Sequence, residues 1–163
     1  MTAATQLIDE KVRFARGIHP QTNACLQEAA ASPQADRAEA LLNKAARLSP
    51  SLLAVDVARY KFYFYRGQLD QAEQVTLDTL SKAAQQGGFE PDWIQARLPL
   101  EGRWQPESPE RYYLYGLKAL AFIRLRRGDR EQARLILQAL SRMDPEDLVG
   151  GSVIQSLLDG SEA

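Results

Sequence analysis

His19 is the only histidine of the chain and Cys25 the only cysteine, so the side chains that most often do chemistry near neutral pH each occur once. A His-based triad or dyad and a multi-His metal site are therefore not expected, and an intrachain disulfide or a cysteine-based zinc site is excluded. His19 precedes Pro20 at a helix start and reads as a surface residue or a neighbour of the helix cap. Cys25 lies on the apolar side of the same segment and reads as a buried core thiol rather than a reactive one. Carboxylates are plentiful, as in Asp9-Glu10 and between Glu107 and Glu110, yet their proline-rich or helix-starting contexts suit solvated charge at helix N-termini. Gly87-Gly88 and Gly150-Gly151 are not followed by a phosphate-loop pattern and read as helix ends. The densest charge is the run of residues 124 to 134, with Arg124, Arg126, Arg127, Arg130 and Arg134 set against Asp129 and Glu131. Such a run could meet phosphates or an acidic partner. It straddles a tight turn and lacks interleaved aromatics, so a solvated turn is the plainer reading, with a nucleic-acid or small-molecule binding module as the alternative. No catalytic residue, cofactor or metal ligand is expected.

The totals agree with an ordinary globular chain. At 163 residues it is long enough for one domain with a sizeable core. A net charge of -1 with 25% charged residues supplies no global field that would attract nucleic acid or an anionic membrane. No run of about 18 apolar residues is present, as a membrane-spanning helix would need, and the N-terminal stretch has no continuous apolar run. The expectation is a cytoplasmic protein without membrane association, a single cysteine fitting a reducing compartment.

What could position a binding surface is a repeated helical unit. In the stretch from Asp129 to Pro145, Ala133, Leu137, Leu140 and Met143 recur at helical spacing, Gly128 precedes the helix and Pro145 stops it. Ala38, Leu42, Ala45, Leu48 and Pro50 repeat that skeleton upstream. A period of about 34 residues carries the turn at Pro33 to Gly67 and the Ala38 position to Ala72, and both residues are in place. The alternating stretch from Arg59 to Tyr65 could pass for a strand, but a lone strand has nothing to pair with, so it is read as a helix and as the most buried one. Its partner departs from the pattern at Thr76 and Thr79, leaving Leu80 and Ala83 to form the apolar stripe.

After Gly88 the register slips: the next turn falls at Gly128, 27 residues later than the period places it. The added segment, about residues 88–109, contains Pro91, Pro99, Pro106 and Pro109 together with both tryptophans, Trp93 and Trp104. Its prolines rule out one long helix, and its apolar side chains argue for order, with a short helical turn from Pro91 through Trp93 and Ala96. A helix over residues 3–16 is expected to flank the repeats on one side and a capping helix over about 148–158 on the other.

The sequence Gly, Ala, large apolar residue and Pro at these intervals resembles the second half of a tetratricopeptide repeat, and Leu117, Leu120 and Ala121 stand where the family carries its first-helix signature. The resemblance covers units at about residues 20–50, 53–86 and 110–145 and implies an all-α fold. It would be a right-handed superhelix of antiparallel helix pairs in one domain, 1–163. It further implies a non-enzymatic adaptor, chaperone-like scaffold or assembly factor that holds a protein or peptide segment in a groove lined by the first helix of each unit. Carried over by register, the groove presents Asn23, Gln27, Lys61, Phe64, Tyr115, Lys118, Phe122 and Arg126, with Trp93 and Trp104 as possible contacts from the insert. Ala58, Tyr115 and Ala119 stand at positions where members that clamp a terminal carboxylate have Lys, Asn or Arg, so that binding mode is not expected. The chain is also similar to small repeat proteins found beside bacterial nitrogen-fixation genes, a likeness no motif carries, which would make it an accessory factor there.

Overall fold

The computed structural model describes residues 18–98 and 105–160. The expected N-terminal helix, Leu100 and Trp104 lie outside the described residues. Those described form helices joined by turns, with no strand among them: α1 (Pro20–Ala31), α2 (Ala35–Leu48), α3 (Leu53–Tyr65), α4 (Leu69–Gly87), α5 (Pro109–Arg126), α6 (Arg130–Met143) and α7 (Gly151–Gly160). The chain divides into two compact units, residues 1–72 and 73–163, the boundary falling inside α4.

In the first unit α1 packs on α2 and α2 on α3. Its core joins Cys25, Leu26 and Ala29 of α1 to Leu42 and Ala45 of α2 and Val55 of α3. The helix starts follow from local chemistry. His19 caps α1 by accepting the Gln21 amide on Nδ1 at 3.3 Å, and Pro20 fills the first helical position, where an amide hydrogen would have no partner. Ser49 ends α2 with φ of -137° and ψ of 70°, outside the helical region that Pro50 disfavours for its predecessor, and its hydroxyl lies 2.7 Å from that of the fully buried Thr22.

The aromatic run is helical, and it splits by face. Tyr60 and Tyr63 are buried, whereas Tyr65 is 54% exposed. The expectation that this helix is the most deeply buried is corrected: among the largest fully buried side chains α5 supplies more than any other helix, with Tyr113, Leu114, Leu117, Leu120 and Ile123. An amphipathic hairpin helix needs only one covered side, but α5 packs on both α6 and α7.

The second unit closes around α5, with Ile136, Leu137 and Leu140 of α6 and Ile154 and Leu158 of α7 all 4% exposed or less. In α4, Thr76 and Thr79 are fully buried alongside Leu80 and Ala83. Thr79 tolerates this because its hydroxyl donates to the Val75 carbonyl at 2.7 Å, one helical turn back. The cap begins later than expected, at Gly151. Asp144, itself 6% exposed, occupies the space before it, its carboxylate accepting the amides of Leu148 at 2.9 Å and Val149 at 3.0 Å.

The two glycine turns are the same object. Gly67 and Gly128 have φ of 71° and 83°, a left-handed conformation that costs a residue with a Cβ but not glycine. Each glycine amide donates three residues back, to Phe64 and Leu125, and the following amide reaches five back, Gln68 to Tyr63 at 3.0 Å and Asp129 to Arg124 at 2.9 Å. This double closure satisfies the last carbonyls of the first helix and starts the second. In all three hairpins the small residue then takes the same place: the amides of Ala38, Ala72 and Ala133 donate to Gln34, Gln68 and Asp129 at 3.0, 3.0 and 3.1 Å. Their side chains are 5%, 0% and 0% exposed.

Replacing Ala133 with Leu should lower stability by about 1–3 kcal/mol, because the packed site has no room for the added carbons. A urea midpoint equal to that of the unmodified protein would show that the position is not a close helix contact.

Candidate functional site

The groove residues expected from the repeat register divide evenly between the two units. In the first, Asn23 and Gln27 lie one turn apart on α1 and are exposed, while Lys61 and Phe64 on α3 are half-buried. In the second, all four stand on α5: Tyr115 and Lys118 are half-buried, Arg126 is exposed, and Phe122 is 8% exposed. Phe122 therefore departs from the expectation, since its ring is packed rather than offered to a partner. A helix with neighbours on more than one side has less free face than the repeat pattern alone implies. Lys118 is located by its surroundings: a Cβ added to Gly150 would come within 3.4 Å of its Nζ, which sets the ammonium beside the turn that opens α7. Arg111 stands one turn before Tyr115, its Nε 3.5 Å from the phenol oxygen and its guanidinium 5.7 Å from the ring centroid. This adds a cation to the same face that register reasoning did not include.

The arginine cluster is occupied by contacts within the second unit. Arg124 approaches Glu73 at 2.7 Å and Asp129 at 3.8 Å, and Arg127 lies 3.9 Å from Glu73. Arg134 pairs with Glu131 at 2.7 Å, and Arg130 donates to the Leu158 carbonyl at 3.0 Å, closing the end of α7. The Glu73 contact could not be read from the sequence, because it brings a carboxylate from α4 to a run more than a helix pair away.

Residues 88–98 of the insert are folded against α5 and α6 within the second unit. Asp92 organises a turn, its carbonyl accepting the amides of Gln95 and Ala96 and its carboxylate that of Ile94. Ala96 and Leu98 are buried. Arg142, in the last turn of α6, spans this turn by donating to the carbonyls of Trp93 at 2.8 Å, Ile94 at 3.2 Å and Ala96 at 3.4 Å. From α5, the Tyr113 hydroxyl donates to the Pro91 carbonyl at 2.7 Å, and its ring meets Phe89 edge-on at 4.9 Å. Trp93 is half-buried, whereas Ile94 is 62% exposed. Composition pointed to order here; the donors that impose it, Tyr113 and Arg142, carry no motif.

Tyr113 is the group whose ionisation this packing changes most clearly. Burial pushes its phenol well above the ordinary tyrosine range, and the carboxylates of Asp92 and Glu90 push the same way. Tyr112 is raised by burial, then by Glu107 and Tyr115, and Tyr63 by burial and then by Glu39, to which its hydroxyl donates at 3.2 Å. Raised phenols favour the protonated state and do not supply a base at neutral pH. Among the described residues there is no cluster of three or more His, Cys, Asp or Glu side chains that could hold a metal, and no helix long and apolar enough to cross a membrane.

Because the fold favours the protonated phenol, the contribution of Tyr113 is fully present below its unfolded pKa of about 10 and is lost as pH rises from there through its higher folded value. Tyr113→Phe should cost about 0.5–1.5 kcal/mol at neutral pH and flatten the alkaline limb of a stability-pH profile; a limb unchanged by the substitution would assign that loss to other groups. No family model, no curated protein and no solved structure matches the chain.

Proposed function

We propose that this chain is a non-enzymatic interaction scaffold of the tetratricopeptide type, a superhelix of helix pairs that holds a peptide segment or partner helix against the first helix of each pair. The observation that carries the reading is the recurrence of one hairpin. The same two-bond glycine turn joins α3 to α4 and α5 to α6, and the same buried alanine follows it at Ala72 and Ala133. Repeated hairpins that bury one side of each helix leave a series of first-helix faces for recognition. Here those faces carry Asn23 and Gln27 in the first unit and Tyr115, Lys118 and Arg126 in the second. The alternative, a nucleic-acid or small-molecule module built on residues 124 to 134, has less support, since Arg124, Arg127 and Arg134 pair with carboxylates and Arg130 holds a helix end.

Cross-linking the chain to its neighbours in the native cell should recover a protein in fixed ratio. A variant combining Gln27→Arg with Lys61→Glu should reduce that recovery by about tenfold, the loss of one or two interface contacts, while its circular dichroism matches the parent. Recovery of no protein at moderate salt, with a metabolite remaining bound, would overturn the scaffold reading.

A further inference from the structure

We infer that the last turn of α2, at Lys44, Arg47 and Leu48, is a docking site for an acidic turn of a partner protein, of the kind that the chain's own insert presents to α6. This site lies on the second helix of a pair and is independent of the first-helix faces proposed for the scaffold. A correspondence inside the chain points to it. α2 and α6 are each 14 residues long and align without a gap, from Ala38 on Ala133 through to Pro50 on Pro145. Both close in the same way, the Ser49 amide donating to Ala45 at 2.9 Å and the Asp144 amide to Leu140 at 2.8 Å. In that alignment Arg47 stands on Arg142 and Leu48 on Met143.

In the second unit this corner is filled. Arg142 donates to the carbonyls of Trp93, Ile94 and Ala96, and Met143 beside it is 8% exposed. The turn it holds suits a guanidinium. Asp92 accepts the amides of Ile94, Gln95 and Ala96, so those donors are used within the turn, while the carbonyls of Trp93 and Ile94 are met from outside it by a group with several N–H donors. In the first unit the corner is open. Leu48 is 38% exposed, Lys44 and Arg47 are exposed, and among the described residues no carboxylate or carbonyl meets either cation. A cation in the last turn of a helix is favoured by the helix dipole alone. The dipole gives no reason for a leucine left uncovered where its counterpart is packed.

Charge selects the occupant. Lys44 stands on Ala139, which is 6% exposed, so the open corner carries one cation more than the filled one. A matching turn therefore offers carbonyls to Arg47, an apolar side chain to Leu48 and a carboxylate to Lys44, which lies about one helical turn before Arg47. The insert supplies a template in the run Glu90-Pro91-Asp92-Trp93, two acids just before an indole.

The test uses the full chain and a fluorescein-labelled peptide with the sequence of residues 88–98, closed into a ring through added terminal cysteines so that the turn is held. Binding followed by anisotropy should weaken about tenfold in Arg47→Ala and in Leu48→Asp, as for the loss of a central contact in a small interface. Circular dichroism of both variants should match the parent. Lys44→Glu should weaken binding of the acidic peptide more than that of a peptide in which both acids are replaced by their amides, and Arg142→Ala should leave the affinity unchanged. No binding by the parent, or equal affinity in the parent, Arg47→Ala and Leu48→Asp, would overturn the inference. A loss confined to Arg142→Ala would also overturn it, because the peptide would then be exchanging with the chain's own insert. A photo-crosslinking residue, p-benzoylphenylalanine in place of Leu48, separates the remaining occupants. Adducts with the peptide are expected; adducts that the peptide does not suppress, with a second copy or with residues 1–17 of the same chain, would assign the face to those instead. A labelled oligothymidylate that binds more tightly than the peptide and is lost with Lys44→Glu would overturn the inference in favour of a nucleic-acid partner. None of these outcomes bears on the groove, which Gln27→Arg with Lys61→Glu tests.

Discussion

Ala38 and Ala133 each place a single methyl group one turn into the second helix of a packed pair, where the chain has just reversed and longer side chains would hold α1 away from α2 and α5 away from α6. The rest of the architecture depends on that spacing. Close approach lets the larger residues further along be buried, as Leu137 and Leu140 of α6 are. It also fixes which face of each first helix is covered. The glycine turn and the small residue work together, because the turn sets where the second helix starts and the small residue sets how near it runs.

The hairpins were legible because they are local. Gly67 with Ala72 and Gly128 with Ala133 express turn geometry and a small residue within a few positions, and Pro50 and Pro145 restate the boundaries of the first and third units, so a periodic search finds them. The helix class followed from the same period. Burial was harder to read. The aromatic density of α3 suggested the deepest element, yet depth depends on how many neighbours surround a helix, and α5 gains its own from α6 and α7.

The candidate surface was legible only in part, for a related reason. Register assigns a residue to a face but does not say what else reaches that face. Phe122 has the right phase and is nonetheless covered, while Arg111 lies outside the carried-over set and joins the face through Tyr115. Charged residues were the least readable. Arg142 and Asp144 look like two more surface charges at a helix end; one spans three carbonyls of the insert, and the other is buried against two backbone amides. Side chains that satisfy distant backbone groups leave no periodic trace, because their partners are defined by the fold and not by spacing.

The tie between Arg142 and the Trp93 turn has a consequence for the order in which the chain takes shape during synthesis. The carbonyls of Trp93, Ile94 and Ala96 emerge 46 to 49 residues before the Arg142 guanidinium that donates to them, and the Pro91 carbonyl emerges 22 residues before Tyr113. Closing a loop of that length costs about 3 kcal/mol of chain entropy, and it cannot begin until α6 has left the ribosome. At roughly 5–20 residues per second the turn waits several seconds with Trp93 and the Leu98 side chain, which the finished fold buries, uncovered. During that interval the nascent chain exposes apolar surface that the finished fold covers, Leu98 among it.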